Sequence, residues 1–128
     1  MNPEVERALE ALRHSFHGAI VTVEEDGAGG AYVFIEPVDL GPRFSPTTTW
    51  VGGHLTAQTP YSDVYPLFIG ANVAWANGRA LSAPITAGHN FRGRVAIQVS
   101  RRANKRDPKL DAPVAKFNKV LHWLRYIA

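Results

Sequence analysis

Hydrophobic residues recur along this chain with two different periods. Near the N-terminus Val5, Leu9, Leu12 and Phe16 follow at spacings of four, three and four, the pattern of one helical face. Asn2 can cap that helix, Pro3 suits its first position, where a missing N–H costs nothing, and Gly18 is placed to end it. Glu6, Arg7, Glu10 and Arg13 fall on its other faces. Near the C-terminus Val114, Phe117, Leu121 and Leu124, widened by Val120, form a second stripe, with Asp111 as its candidate cap.

Between the helices the period falls to two. Residues 19–24 are β-branched and alternate, residues 26–30 are a glycine-rich turn, and residues 31–36 (AYVFIE) are a second strand closed by Pro37. Three prolines and a glycine make 37–46 a loop. Residues 47–58 read as a third strand, whose Gly52–Gly53 pair implies a bulge or a close approach. Residues 59–70 are a proline-aromatic segment, 72–75 a short strand, and Asn77–Gly78 a turn. In residues 93–100, Val95, Ile97 and Val99 share one side of a strand. The expectation is one α+β domain over 1–128: an N-terminal helix, a four-stranded antiparallel meander, an irregular segment, and a C-terminal helix packed on the sheet.

Composition narrows the classes. The 128 residues are 45% apolar and 20% charged, ordinary for a globular domain able to bury its own core. No apolar run reaches the ~18 residues of a membrane span, and the N-terminus lacks a secretory core, so the cytoplasm is the expected compartment. The chain has no cysteine, which removes disulfides, thiolate metal sites and thiol nucleophiles. The net charge of +3 is compatible with nucleic acid without requiring it. His14 and His17 lie three apart on the first helix without carboxylate or cysteine support, so no metal site or other cofactor is expected.

The stretch GHNFRGRVAIQVSRRANKRDP, residues 88–108, concentrates the candidate chemistry. Its basic end, with Arg101, Arg102, Lys105 and Arg106, reads as a solvated loop, a docking rim for an acidic partner, or, most weakly, a nucleic-acid patch. Single-strand binding calls for interleaved aromatics, and residues 100–108 contain none.

Three stretches together resemble the ubiquitin-conjugating (E2) family, in its bacterial E2-like branch. WVGGHLTAQTPYSDVYPLFIG is similar to the E2 meander, GHNFRGRVAIQVS to the active-site segment, and RDPKLDAPVAKFNKVLHWLRYI to the turn and helix that follow. With the N-terminal helix the resemblance covers nearly the whole chain. It implies a UBC-like fold and a place in a ubiquitin-like conjugation pathway. The partners it implies are an E1-like activating enzyme, a ubiquitin-like protein, and a JAB-type peptidase of the same pathway; some such bacterial systems act in antiviral defence. In the family the nucleophilic cysteine follows Gly-x-apolar. Here that pattern is Gly93-Arg94-Val95-Ala96, so Ala96 occupies the cysteine position, seven residues after His89.

A methyl group cannot carry a thioester. Either alanine was introduced at 96 into an active transferase, or the chain is a natural non-catalytic variant that binds and positions others. By resemblance His89 and Asn90 line the thioester site, an amide there being able to donate to an oxyanion; their plain reading is a turn. Tyr65 and Pro66 would belong to the partner-facing end, Arg7 to the E1-facing surface of the first helix, and Arg101 and Arg102 to the rim. Ser100 is a substitute hydroxyl only if a base adjoins it.

Overall fold

The computed structural model describes residues 1–102 and 112–128. Helix α1 spans Pro3–Ser15, and its cap is as the sequence implies: the Asn2 side chain accepts the Val5 N–H at 2.9 Å, with Pro3 in the first turn. Val5, Ala8, Leu9 and Leu12 are buried, while Phe16 is the half-buried C-cap residue. Eight strands follow: β1 (Ile20–Glu25), β2 (Ala31–Asp39), β3 (Phe44–Ser45), β4 (Thr48–Leu55), β5 (Leu67–Gly70), β6 (Ala74–Trp75), β7 (Ile85–Phe91) and β8 (Arg94–Val99). Helix α2, Ala112–Tyr126, closes the order. No helix among the described residues is long and apolar enough to cross a membrane.

The α+β class and the two flanking helices agree with the expectation; the strand count does not. In place of a four-stranded meander there is a six-stranded antiparallel sheet, ordered β1-β2-β4-β5-β8-β7, and a separate β3-β6 ribbon. Three local causes account for the difference. Strand β2 runs through Pro37 to Asp39, because the ladder shifts register between Ile35 and Val38 and Pro37 falls in that irregularity. The proline-aromatic segment ends in a strand, β5, pairing Leu67 with Val99 and Gly70 with Ala96. The expected irregular segment is the β7–β8 hairpin.

Both helices lie against one face of the sheet. Val33, Ile35, Val51, Leu67, Ile69, Ile97 and Val99 meet Leu9 and Leu12 of α1 and Phe117, Leu121 and Leu124 of α2 in one core. The alternation of β-strand side chains sends these residues one way and Tyr32, Phe34 and Phe68 the other. Gly53 belongs to the core side: a Cβ there would lie 2.8 Å from Leu67, 2.9 Å from Val64 and 3.2 Å from Phe117. The glycine pair therefore serves close approach, and the observed bulge in β2 lies elsewhere.

Lys116 sits within the buried stripe of α2. Its ammonium donates to an Asp63 carboxylate oxygen at 3.0 Å and to the Arg101 carbonyl. Burial, opposed by Asp63, holds its pKa below the usual lysine value. Asp111, the expected cap of this helix, lies outside the described residues.

The β1–β2 turn is built around Asp26, whose Oδ1 accepts the N–H of Ala28 and of Gly30 at 2.8 and 2.9 Å. A side chain at Gly30 would press into the Leu55 carbonyl and lie 2.6 Å from Asp26 Oδ2. Backbone cannot give way there as a flexible side chain can, so Gly30→Ala is expected to lower stability by about 2 kcal/mol. Urea unfolding of both proteins measures this; an unchanged midpoint contradicts it.

Candidate functional site

The sheet face opposite the helices carries an aromatic layer. Register places Phe34 beside Gly52 and Gly52 beside Phe68. Phe91 fills the space above Gly52, where a Cβ would lie 2.7 Å from its ring. It stacks on Phe68 at 4.6 Å and leans on Phe34 at 5.1 Å, and Trp50 meets Phe34 edge-on at 5.4 Å. Such offset and edge-on contacts suit the aromatic quadrupole.

Phe91 comes from β7, at the far edge of the sheet. It reaches the centre because the β7–β8 hairpin folds over the face as a flap. Pairing of β8 with β5 stops at Ala96, while pairing with β7 continues to Phe91↔Arg94. Arg92 (φ 51) and Gly93 (φ 86) form the turn, both in the left-handed region that two-residue hairpin turns require. That conformation is uncommon for arginine. Here it aims Arg92 across the sheet, over the Tyr32 ring at 4.3 Å and onto Glu24 of β1. Arg94 lies 4.2 Å over Phe34 and 5.2 Å from Trp50, with Glu36 at 3.7 Å.

Position 96 lies under this flap. Ala96 is 0% exposed, in one cluster with Phe34, Trp50 and Phe91. Its cross-strand partners are Gly70 in β5 and His89 in β7. Cross-strand partners share a side, so His89 and Ala96 lie together, with His89 Nε2 3.0 Å from Thr86 Oγ1. Asn90 is not brought there. It pairs with Val95, and its Oδ1 accepts the Gly93 N–H at 3.0 Å, holding the turn. Val95, expected inside with Ile97 and Val99, is 66% exposed, because at that point β8 has left β5 and faces outward on the flap. Ser100 accepts from Gln98 Nε2 at 2.8 Å, and no base adjoins it among the described residues.

The other expected residues gather elsewhere. Leu67↔Val99 is the opposite end of the β5–β8 pairing from Ala96; Tyr65 and Pro66 directly precede β5 there, and Tyr65 meets Arg102. Arg102 stacks 4.0 Å over Tyr65, and Arg101 lies 4.4 Å over Trp123. Arg101 and Arg102 are therefore not a rim beside position 96. They do have aromatic partners, supplied by other parts of the chain. Lys105 and Arg106 lie outside the described residues. Arg7 is exposed on α1, paired with Glu4, and so is on the opposite side of the sheet from the flap.

A further cluster borders the aromatic layer. His54 Nε2 lies 2.7 Å from Asp26 Oδ2, and its ring stacks on Tyr32 at 4.3 Å. The His54 contact and the Ala28 and Gly30 N–H groups hold the Asp26 carboxyl below its ordinary 3.8. Sequence reasoning passed over Phe91, Arg92, Arg94 and Lys116. The signal for the layer was present in AYVFIE, apolar on both faces and so the mark of a strand covered twice. Comparison with known families, curated proteins and solved structures finds no match.

Two measurements check this geometry. In Ala96→Cys, the thiol is expected to react with an aromatic disulfide reagent about a hundredfold more slowly than in urea, because the flap must open first; adding Arg92→Ala should speed it. Full-rate labelling of the folded single variant contradicts the burial. Asp26 has a lowered folded pKa, so its stabilisation is complete above the unfolded value and is lost as pH falls below 3.8 toward the folded value. The stability advantage over Asp26→Asn should accordingly shrink as pH falls through and below 3.8, as followed by denaturant titrations; a constant gap removes the linkage.

Proposed function

We propose that this chain is a non-catalytic E2-like module that binds a ubiquitin-like protein or scaffolds a conjugation complex. The observation that carries this reading is the state of position 96. The residue in the cysteine position of the resembled active-site segment is an alanine, and it is enclosed by strands β5 and β7 and the aromatic layer. A nucleophile must meet a protein tail there, and a fully enclosed side chain cannot do so without the flap opening. Asn90, occupied with the hairpin turn, is not aimed at an oxyanion. The described parts of the segments that carry the resemblance are β4–β5, the β7–β8 hairpin and α2, which offers a binding module surfaces at both ends of the β5–β8 pairing.

One observation favours a second reading, a transferase frame in which cysteine at 96 would accept the ubiquitin-like protein from an E1-like enzyme and pass it to an amine. His89 stands directly across from position 96. Incubating Ala96→Cys with the E1-like enzyme, ATP and the ubiquitin-like protein of its own gene neighbourhood separates the two. The module reading expects saturable binding of the ubiquitin-like protein or the E1-like enzyme to the unaltered chain and no reductant-sensitive adduct on the variant. An adduct that reductant removes establishes the transferase frame instead. The absence of both binding and adduct overturns the E2-like reading.

A further inference from the structure

A site unrelated to the flap lies on the β3–β6 ribbon, and it stands independently of the E2-like reading. Phe44 and Trp75 are register partners, their rings stacked at 4.3 Å and 21°. The Arg79 guanidinium lies 4.0 Å from the centre of the same indole, and that of Arg43 5.4 Å. Phe44 already occupies one face at stacking distance, so Arg79 covers the other. These two arginines and Trp75, with Pro42, Ala76 and Asn77, line a cavity of about 280 Å³.

The cavity carries uncompensated positive charge. Arg92 and Arg94, the arginines over the aromatic layer, have Glu24 and Glu36 as counter-ions. Among the described residues, neither Arg43 nor Arg79 reaches a carboxylate. Arg43 makes one long contact, 3.5 Å to the Arg125 carbonyl. Asp39, on the strand leading to the ribbon, accepts the Gly41 N–H with its Oδ1 at 2.8 Å. The Asn77 Oδ1 accepts the Arg79 backbone N–H at 2.9 Å, which leaves its amide NH2 as a further donor. Donors, a fixed indole and no acid make up the lining. Stacking on Trp75 pre-orients the Arg79 fork, so little freedom is lost when it meets an anion.

We propose that this pocket binds an oxyanion between the Arg43 and Arg79 guanidiniums, presented either by a phosphate group or by a peptide carboxylate. Both faces of the indole are covered, so stacking of a nucleobase on Trp75 is not the mode of binding. A charge-assisted, forked contact with two or three acceptor oxygens is.

The test is a titration of the full chain, 15N-labelled, followed through its tryptophan indole and arginine Nε–H resonances. One arm uses inorganic phosphate and the other a short acetylated Asp/Glu peptide, at constant ionic strength set by sodium chloride. Saturable shifts confined to Trp75, Arg43 and Arg79 are expected in at least one arm. Saturation by phosphate alone assigns a phosphate ligand; saturation by the peptide alone assigns a carboxylate. Arg79→Gln and Arg43→Gln should each weaken binding about tenfold, with the Trp50 and Trp123 signals unmoved as evidence of an intact fold. Arg79→Lys, which keeps the charge and loses the fork, should weaken it less. Shifts that stay linear in both arms, or that both glutamine variants leave unchanged, overturn the proposal.

Discussion

The structure turns on a central strand that has no side chain at two successive positions. Strand alternation sends Gly53 toward the helices and Gly52 toward the flap. On the first side Leu67, Val64 and Phe117 close onto bare backbone; on the second Phe91 does. A methyl group at either place would hold its covering layer away from the sheet, and close packing leaves no spare volume to absorb it. The same strand therefore supports a helix-covered core and an aromatic layer covered by a hairpin. Each depends on an atom that is missing from its own side.

The second layer is unusual in what covers it. A helix would bring its own apolar stripe. The flap brings one phenylalanine and two arginines, whose flat guanidiniums lie over the rings while glutamates on β1 and β2 hold them. Exposed cation–π contacts contribute about 0.5–1 kcal/mol each. They close the layer to water without presenting an apolar surface. The ribbon repeats the arginine-on-aromatic contact without the glutamates, and that difference separates a structural contact from a candidate binding site.

Much of this arrangement was legible in the sequence, and the failures have identifiable causes. Both helices announced themselves through their apolar stripes, and α1 also through its Asn2 cap, because helical periodicity is local information. The turn at 26–30 did so through its glycines and Asp26. Strand β7 escaped notice because TAGHNF has no apolar alternation, and the ladder itself slips between Thr86 and His89. Pro37 looked like a stop because the bulge that tolerates it is created by pairing with β4. Position 96 was found by resemblance, and its strand by alternation. Its burial was not readable, since it depends on Phe91 of the neighbouring edge strand β7 reaching over β8 and β5 to Gly52. Lys116 could have been noticed: Pro113, Phe117, Val120 and Leu124 place it inside the apolar stripe, where a lysine needs a partner such as Asp63.

The Arg92 turn has a consequence beyond the site. Strands β1 and β7 are the two edges of the sheet, as far apart as its order permits. The ion pair from the flap tip to Glu24 joins them. Edge strands ordinarily fray independently and offer unpaired backbone to neighbouring molecules. Here the loosening of one edge releases the anchor of the other and uncovers the aromatic rings between them. The two margins are thus linked through a single surface ion pair, which places a charged contact between both edges as well as fastening the flap.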